Sequence, residues 1–333
     1  MKTVVRAIDP QTPDQATVAE AAELLRTGEL VAFPTETVYG LGANALDPAA
    51  VRKIFSAKDR PADNPLIVHI AEPADADTYA RDIPDVARVI MRHFWPGPLS
   101  LVLYKRDPVP AATTAGLDTV VLRCPSHAVA RALIREASVP IAAPSANRSG
   151  RVSPTRAEHV LADLAGRLPL ILDGGAVEYG LESTVLDCTS SPPQILRHGS
   201  ITEEVLAAVT DLEQIATSSA SATTPRSPGT RYRHYAPATP LVLGRDHEAL
   251  VAWLLRQPHR RRIGVIHHSP LSAAADYSIE LPDEPSEAAP RLNAALRELD
   301  QEGLDAIVVE GYEDVGIGRA LMDRLRRGAS EIR

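Results

Sequence analysis

Cysteine is nearly absent: Cys124 and Cys188 are the two in a chain of 333 residues. Each sits in an apolar run and neither belongs to a CxxC pair. A disulfide framework and a thiolate zinc site are therefore excluded, and buried thiols in a reducing compartment, the cytoplasm, are expected. Positive charge is not in excess either. The formal net charge is -8, which argues against a broad basic surface for wrapping nucleic acid. Lysine is reduced to Lys2, Lys53, Lys58 and Lys105, so a lysine inside a motif stands out. No apolar run approaches the roughly 18 residues of a membrane-spanning helix, and MKTVVRAIDPQTPD has no apolar core of signal-peptide length. A GxxxxGK[ST] loop, a GxGxxG after the first strand and an HExxH are also missing.

What is there is an ordinary globular composition, 44% hydrophobic and 23% charged, enough for about two domains at roughly 150 residues each. Strands and helices alternate. A strand over Lys2–Ile8 precedes an amphipathic helix over Asp14–Arg26 that stops at Gly28. Strands are expected at Glu29–Phe33, Leu66–Ile70, Leu99–Tyr104, Val120–Leu122, Leu170–Leu172, Thr184–Leu186 and Gln194–Leu196. Helices fall between them, and the order predicts one α/β domain with a large sheet over 1–210. Residues 217–230, TSSASATTPRSPGT, are small, polar and proline-containing, as linkers are. They place an interdomain linker at 211–240. The pattern then restarts as a smaller, doubly wound α/β domain over 241–333.

Five segments carry the polar chemistry. FPTETVYGLGAN (Phe33 to Asn44) reads as a strand running into a turn of hydroxyls and glycines that a ligand could approach closely. KDRPADNPLIVH (Lys58 to His69) puts two cations at i and i+2 on a proline-stiffened loop, suited to phosphate. His69, at the end of an apolar strand, reads by itself as a core histidine. Arg123 ends a buried run and needs an anionic partner, while Ser145, Asn147, Ser149 and Ser153 form a hydroxyl- and amide-rich loop before a helix N-terminus. Ser183 and Arg197 stand at the edges of apolar runs. SPGTRYRHYAP (Ser227 to Pro237) is oddly basic and aromatic for a linker and could fold back over a nucleotide.

Taken in order, PTETVYGLG, KxRPxxNPL, WPGPLSLVL, PSANRSG and ESTVLD resemble the threonylcarbamoyl-AMP synthase family, whose catalytic module is the YrdC-like domain. The linker and second domain are similar to the long, two-domain form. The resemblance implies a twisted, open mixed sheet with helices and a concave active-site face, plus a small Rossmann-like C-terminal domain. It implies that L-threonine, bicarbonate and ATP are joined to give L-threonylcarbamoyladenylate and pyrophosphate. A transferase machinery would then pass the threonylcarbamoyl group to N6 of the adenosine beside the anticodon of tRNAs reading codons that begin with A. Direct contact with tRNA would be at most weak. By the same resemblance, Thr37, His69, Arg123, Ala143 and Ser183 match threonine positions. Lys58, Arg60, Asn64, Thr119, Ser145, Asn147, Ser153 and Arg197 match ATP positions, and Tyr235 matches a residue that closes over the nucleotide. Mg²⁺ is expected with ATP, held by phosphates and water, with no protein ligand named. No catalytic nucleophile is expected. The alternative is a non-catalytic protein that binds double-stranded RNA or tRNA.

Overall fold

The computed structural model describes residues 1–210, 216–217, 234–258 and 261–333. Most of the expected linker lies outside the described residues. Among those described, one mixed sheet runs, edge to edge, through Val4–Ala7, Leu170–Asp173, Val31–Phe33, Gly40–Asn44, Ile141–Ala142, Ile67–His69, Thr119–Arg123, Leu99–Lys105, Thr184–Asp187, Gln194–Arg197 and Ala216–Thr217. The strands foreseen from the sequence are present with ends moved by one or two residues.

The strand Gly40–Asn44 is the correction that matters most. PTETVYGLG was read as a strand and then a glycine-bearing turn, yet this strand pairs antiparallel with Val31–Phe33 and with Ile141–Ala142 in mid-sheet. Its Gly42 is a spatial necessity. A Cβ on Gly42 would come within 2.7 Å of the Phe33 ring and 2.8 Å of Ile141 Cγ2, so only glycine lets those side chains cross the strand.

The sheet's alternation decides what faces the cleft. Val68, Leu101, Leu103, Leu122 and Leu186 point into the main core beneath helices such as Pro48–Lys58 and Asp85–Phe94. Their neighbours Ile67, Val102, Val121 and Val185 form a small apolar cluster on the other face. Two residues along from those four stand His69, Ser100, Arg123 and Ser183. The period of two therefore puts four polar groups on one face. A register irregularity between Val185 and Leu186 sets Arg197 opposite Val185 and brings its side chain to the same face.

A second sheet domain has five parallel strands in the order Tyr277–Glu280, Ile263–His267, Ala306–Glu310, Leu241–Gly244, Glu331–Ile332. The first and last of these were not foreseen. Both are short edge strands, the first half-exposed, and their pairing is supplied by neighbours distant in sequence. Val242, Val265 and Val308 meet the helix His247–Leu255 on one face. Leu243, Ile307 and Val309 meet the helices Pro285–Asp300 and Gly316–Gly328 on the other.

The two sheet domains are in contact. Gly180, at φ +67°, lies so close to the Pro285–Asp300 helix that a Cβ would be 2.5 Å from Ala289 O. Asn293 donates to Gly180 O at 2.7 Å, Arg297 pairs with Asp163 at 2.7 Å, and Arg319 pairs with Glu203 at 2.8 Å.

Candidate active site

A cleft of about 610 Å³ opens on the polar face of the large sheet. Eleven of the fourteen residues singled out from the sequence line it: Thr37, Arg60, His69, Arg123, Ala143, Ser145, Asn147, Ser153, Ser183, Arg197 and Tyr235. Thr35, Val38, Gly40, Ile67, Pro144, Arg151, Glu182 and His234 complete the wall. All of these but Arg151 lay in the quoted segments, and neither Arg151 nor Glu182 had been singled out.

Lys58, Asn64 and Thr119 do not line the cleft. Thr119 begins a strand and pairs with Tyr104, and Asn64 is buried. Lys58 was expected on a loop facing phosphate. It instead closes the last turn of the helix Pro48–Lys58, which Asp59 ends at φ 53°. Its spacing from Ala50 and Ile54, at i+8 and i+4, puts it on the buried face of that helix, and it is 1% exposed. Its Nζ donates to the Ser145 and Asn147 carbonyls and reaches Asn147 Oδ1 at 3.4 Å. Burial, and after it Arg60, pull its pKa well below the ordinary lysine value. Three oxygen acceptors match the three N–H donors of an ammonium, so Lys58 ties down the loop that carries Ser145 and Asn147. Lys58→Met is accordingly expected to lower stability by about 2–3 kcal/mol, because two buried carbonyls lose their donor. A urea midpoint equal to wild type would remove this role.

Ser145 and Asn147 are further fixed by their own bonds. Ser145 Oγ donates to Asn147 Oδ1 at 2.6 Å, and Asn147 Nδ2 donates to the Arg148 and Arg151 carbonyls at 2.9 and 2.8 Å. A single backbone bridge pairs Gly40 with Ser145, joining the first motif to this loop. Across the cleft, Arg197 donates to Ser183 O at 2.9 Å and to Ser183 Oγ at 3.0 Å, and Ser183 Oγ shares a 2.7 Å hydrogen bond with Ser100.

Arg123 pairs with Glu36 at 2.7 Å, the two side chains being 5% and 2% exposed. Glu36 Oε2, Arg123 Nε and His69 Nδ1 are buried without a partner among the described residues. Burial, then Arg123, drive the His69 pKa down to about 3, so its imidazole is neutral and able to accept a proton-bearing ligand atom. His234 is held down to about 4, by burial and then by Arg60 and Lys58. Ala236 N donates to Gly150 O at 3.0 Å, which moors the chain beside Tyr235 to the Ser145–Ser153 segment.

The cleft thus gathers four arginines, two neutral histidines and several fixed hydroxyls, with no hydroxyl or thiol paired to a basic histidine among its described lining residues. Fold and site together define an α/β enzyme that binds and aligns small anionic substrates. A family model described as "Telomere recombination" matches residues 23–199, and one described as "Threonylcarbamoyl-AMP synthase, C-terminal domain" matches residues 201–330. The threonylcarbamoyl-AMP synthase of Pyrococcus abyssi is 46% identical over 93% of each chain. That of Bacillus subtilis is 44% identical, over 98% of this chain and 96% of its own. The crystal structure of P. abyssi Sua5 complexed with L-threonine superposes with a TM-score of 0.93 at 43% identity, covering 99% of both chains. The chain belongs to the threonylcarbamoyl-AMP synthase family.

Proposed function

We propose that the protein condenses L-threonine, bicarbonate and ATP into L-threonylcarbamoyladenylate and releases pyrophosphate. The observation that carries this reading is the convergence of eleven motif residues, from four separated segments and the linker end, on one cleft. We divide the chain into a catalytic domain over 1–210, a linker over 211–240 and a second domain over 241–333. Thr37, His69, Arg123, Ala143 and Ser183 are assigned to threonine. Arg60, Ser145, Asn147, Ser153 and Arg197 are assigned to ATP, with Tyr235 over it. Lys58 acts on the nucleotide through the loop it holds; Asn64 and Thr119 do not line the cleft and carry no assignment.

The chemistry needs alignment and charge neutralisation. The threonine amine takes up bicarbonate with loss of water and becomes a carbamate. The carbamate oxygen attacks the α-phosphorus of ATP, and the α–β anhydride bond breaks as pyrophosphate leaves. Positioned cations stabilise the charge that develops on the phosphoryl oxygens and the leaving group, a task for Arg60 and Arg197. The planar fork of Arg123 suits the threonine carboxylate. Magnesium is treated as part of the MgATP substrate. Among the described residues no cluster of histidine, cysteine or carboxylate could hold a metal, and Glu182, the one carboxylate of the cleft wall, is occupied by Arg324 and Ser153.

The product is a reactive mixed anhydride, and we propose that a transferase that modifies tRNA consumes it. We place the protein in the cytoplasm; no helix among the described residues is long and apolar enough to cross a membrane. The RNA-binding alternative is disfavoured because Arg123 and Arg197 are 4% and 6% exposed, out of reach of a duplex backbone. Incubation with ATP, bicarbonate and threonine should give threonine-dependent pyrophosphate and the adenylate by mass spectrometry. Arg60→Ala should lower kcat/KM by about 10² or more, the usual loss when one donor to developing charge is removed. Undiminished turnover by folded Arg60→Ala would overturn its role.

A further inference from the structure

The second sheet domain reaches the cleft wall at two places: Asp300 pairs with the exposed Arg151 at 3.3 Å, and a buried arginine meets Glu182. Arg324, on the helix Gly316–Gly328, is 2% exposed. Its Nε donates to Glu182 Oε2 at 3.0 Å, and one Nη donates to Asp323 at 3.1 Å. Its guanidinium carbon lies 5.4 Å from the centroid of the Tyr235 ring, within cation–π range. The other Glu182 oxygen accepts from Ser153 Oγ. Ser153, Glu182 and Tyr235 all line the cleft. A continuous chain of contacts therefore runs from Ser153 through Glu182 to Arg324 in the second domain, and back to Tyr235 over the cleft.

Glu182 is the only acidic residue among the described lining residues, in a cleft otherwise furnished with Arg60, Arg123, Arg151 and Arg197. A buried carboxylate there opposes any phosphate unless it is neutralised. Burial pushes the Glu182 carboxyl up, but Arg324, then Arg197 and Ser153, outweigh it and hold the pKa below the ordinary glutamate value. Glu182 is thus an anion whose charge is cancelled chiefly from the other domain.

We propose that Arg324 is a positioning residue for the nucleotide: it neutralises Glu182, aligns Ser153 through that carboxylate and backs the Tyr235 ring, so that the ATP site is incomplete without the second domain. This rests on the reading that the cleft takes ATP.

The test is calorimetric titration of MgATP into the full-length protein and its variants. Wild type is measured first; absence of binding there would remove the functional reading itself. Arg324→Met should weaken MgATP binding about ten-fold or more, and adding Glu182→Gln should bring it back to within about three-fold of wild type, the coupling expected of charges in one network. Arg319→Met removes the Arg319–Glu203 pair between the domains without touching the cleft, and should bind MgATP as wild type does. A mere interdomain staple would behave differently, since removing Glu182's charge could not mend it. Wild-type affinity in Arg324→Met, or no recovery in the double variant, overturns the proposal. If Arg324→Met fails to fold while the double variant folds and binds, the same coupling has been read through stability. Failure of both to fold overturns it in favour of a staple.

Discussion

Arg123→Ala should lose threonine binding and about 3–5 kcal/mol of stability together, the largest combined effect expected of any single change in the cleft. Arg123 is the sole hydrogen-bonding partner of the Glu36 carboxylate among the described side chains, at 2.7 Å, and both side chains are almost fully buried. The second Glu36 oxygen already lacks a partner. Truncating the arginine leaves a buried, uncompensated anion, which is costlier than the pair's net worth. Structural and binding losses can be separated. In Glu36→Gln/Arg123→Met both charges are gone, so the urea midpoint should return most of the way to wild type. The threonine KM should stay raised, because nothing replaces the bidentate fork. An unchanged threonine KM in either variant would remove Arg123 from the threonine site. Full recovery of threonine binding in the double variant would do the same.

The sequence carried much of this cleft because its residues obey local rules. Arg123 closes the apolar run Val120, Val121, Leu122, and a charge there demands an anion. His69 follows Ile67 and Ser183 precedes Val185 at a spacing of two, so a reader who has the strands has the face as well. Lys58 was equally legible and was misread. The spacing of Ala50, Ile54 and Lys58 sends the lysine inward on a helix, but the proline that follows drew it into a loop. Arg324 carried the same mark, standing at i+4 from Ala320 in a buried stripe of the last helix.

Other features had no local signal. Gly40–Asn44 is a strand because Phe33 and Ile141 lie across it, a fact of packing between distant segments that glycine's weak strand propensity conceals. The position of Arg197 on the cleft face depends on a register shift at Val185 and Leu186, and a one-residue slip sends a side chain to the other face. Glu182 was quoted in a motif without a role. Its meaning comes from Arg324, 142 residues away in sequence, and from Ser153. Charges that the fold neutralises at long range are the part of a site that pattern reading misses.

Acid should unfold the protein steeply, and three buried histidines set where. His69 is held down to about 3 by burial and Arg123. His159 is held to about 4 by burial, Arg297 and Arg156, and His234 to about 4 by burial, Arg60 and Lys58. In the unfolded chain each returns to its ordinary value of 6.5. Below that pH the unfolded state takes up protons that the folded state refuses. The stabilisation is therefore complete above 6.5 and drains away as the pH falls toward 4. Each histidine contributes about 1.4 kcal/mol per pH unit in that window, so the three together approach ~4 kcal/mol per unit. Against a total stability of about 5–15 kcal/mol, the fold should fail between roughly pH 5 and 4. Urea midpoints at pH 7.5, 6 and 5 measure the slope, and uptake of fewer than one proton on unfolding would contradict it. His159→Asn, which keeps an acceptor for the Thr155 N–H that His159 now binds at 3.2 Å, should reduce the slope by about a third. The same histidines decide how activity ends in acid. His69 stays neutral throughout the range in which the protein is folded, so its titration cannot produce an inflection near 6.5. Turnover and the fluorescence of the buried Trp95 should therefore be lost at the same pH, and a separate activity midpoint near 6.5 would show His69 protonating within the folded enzyme.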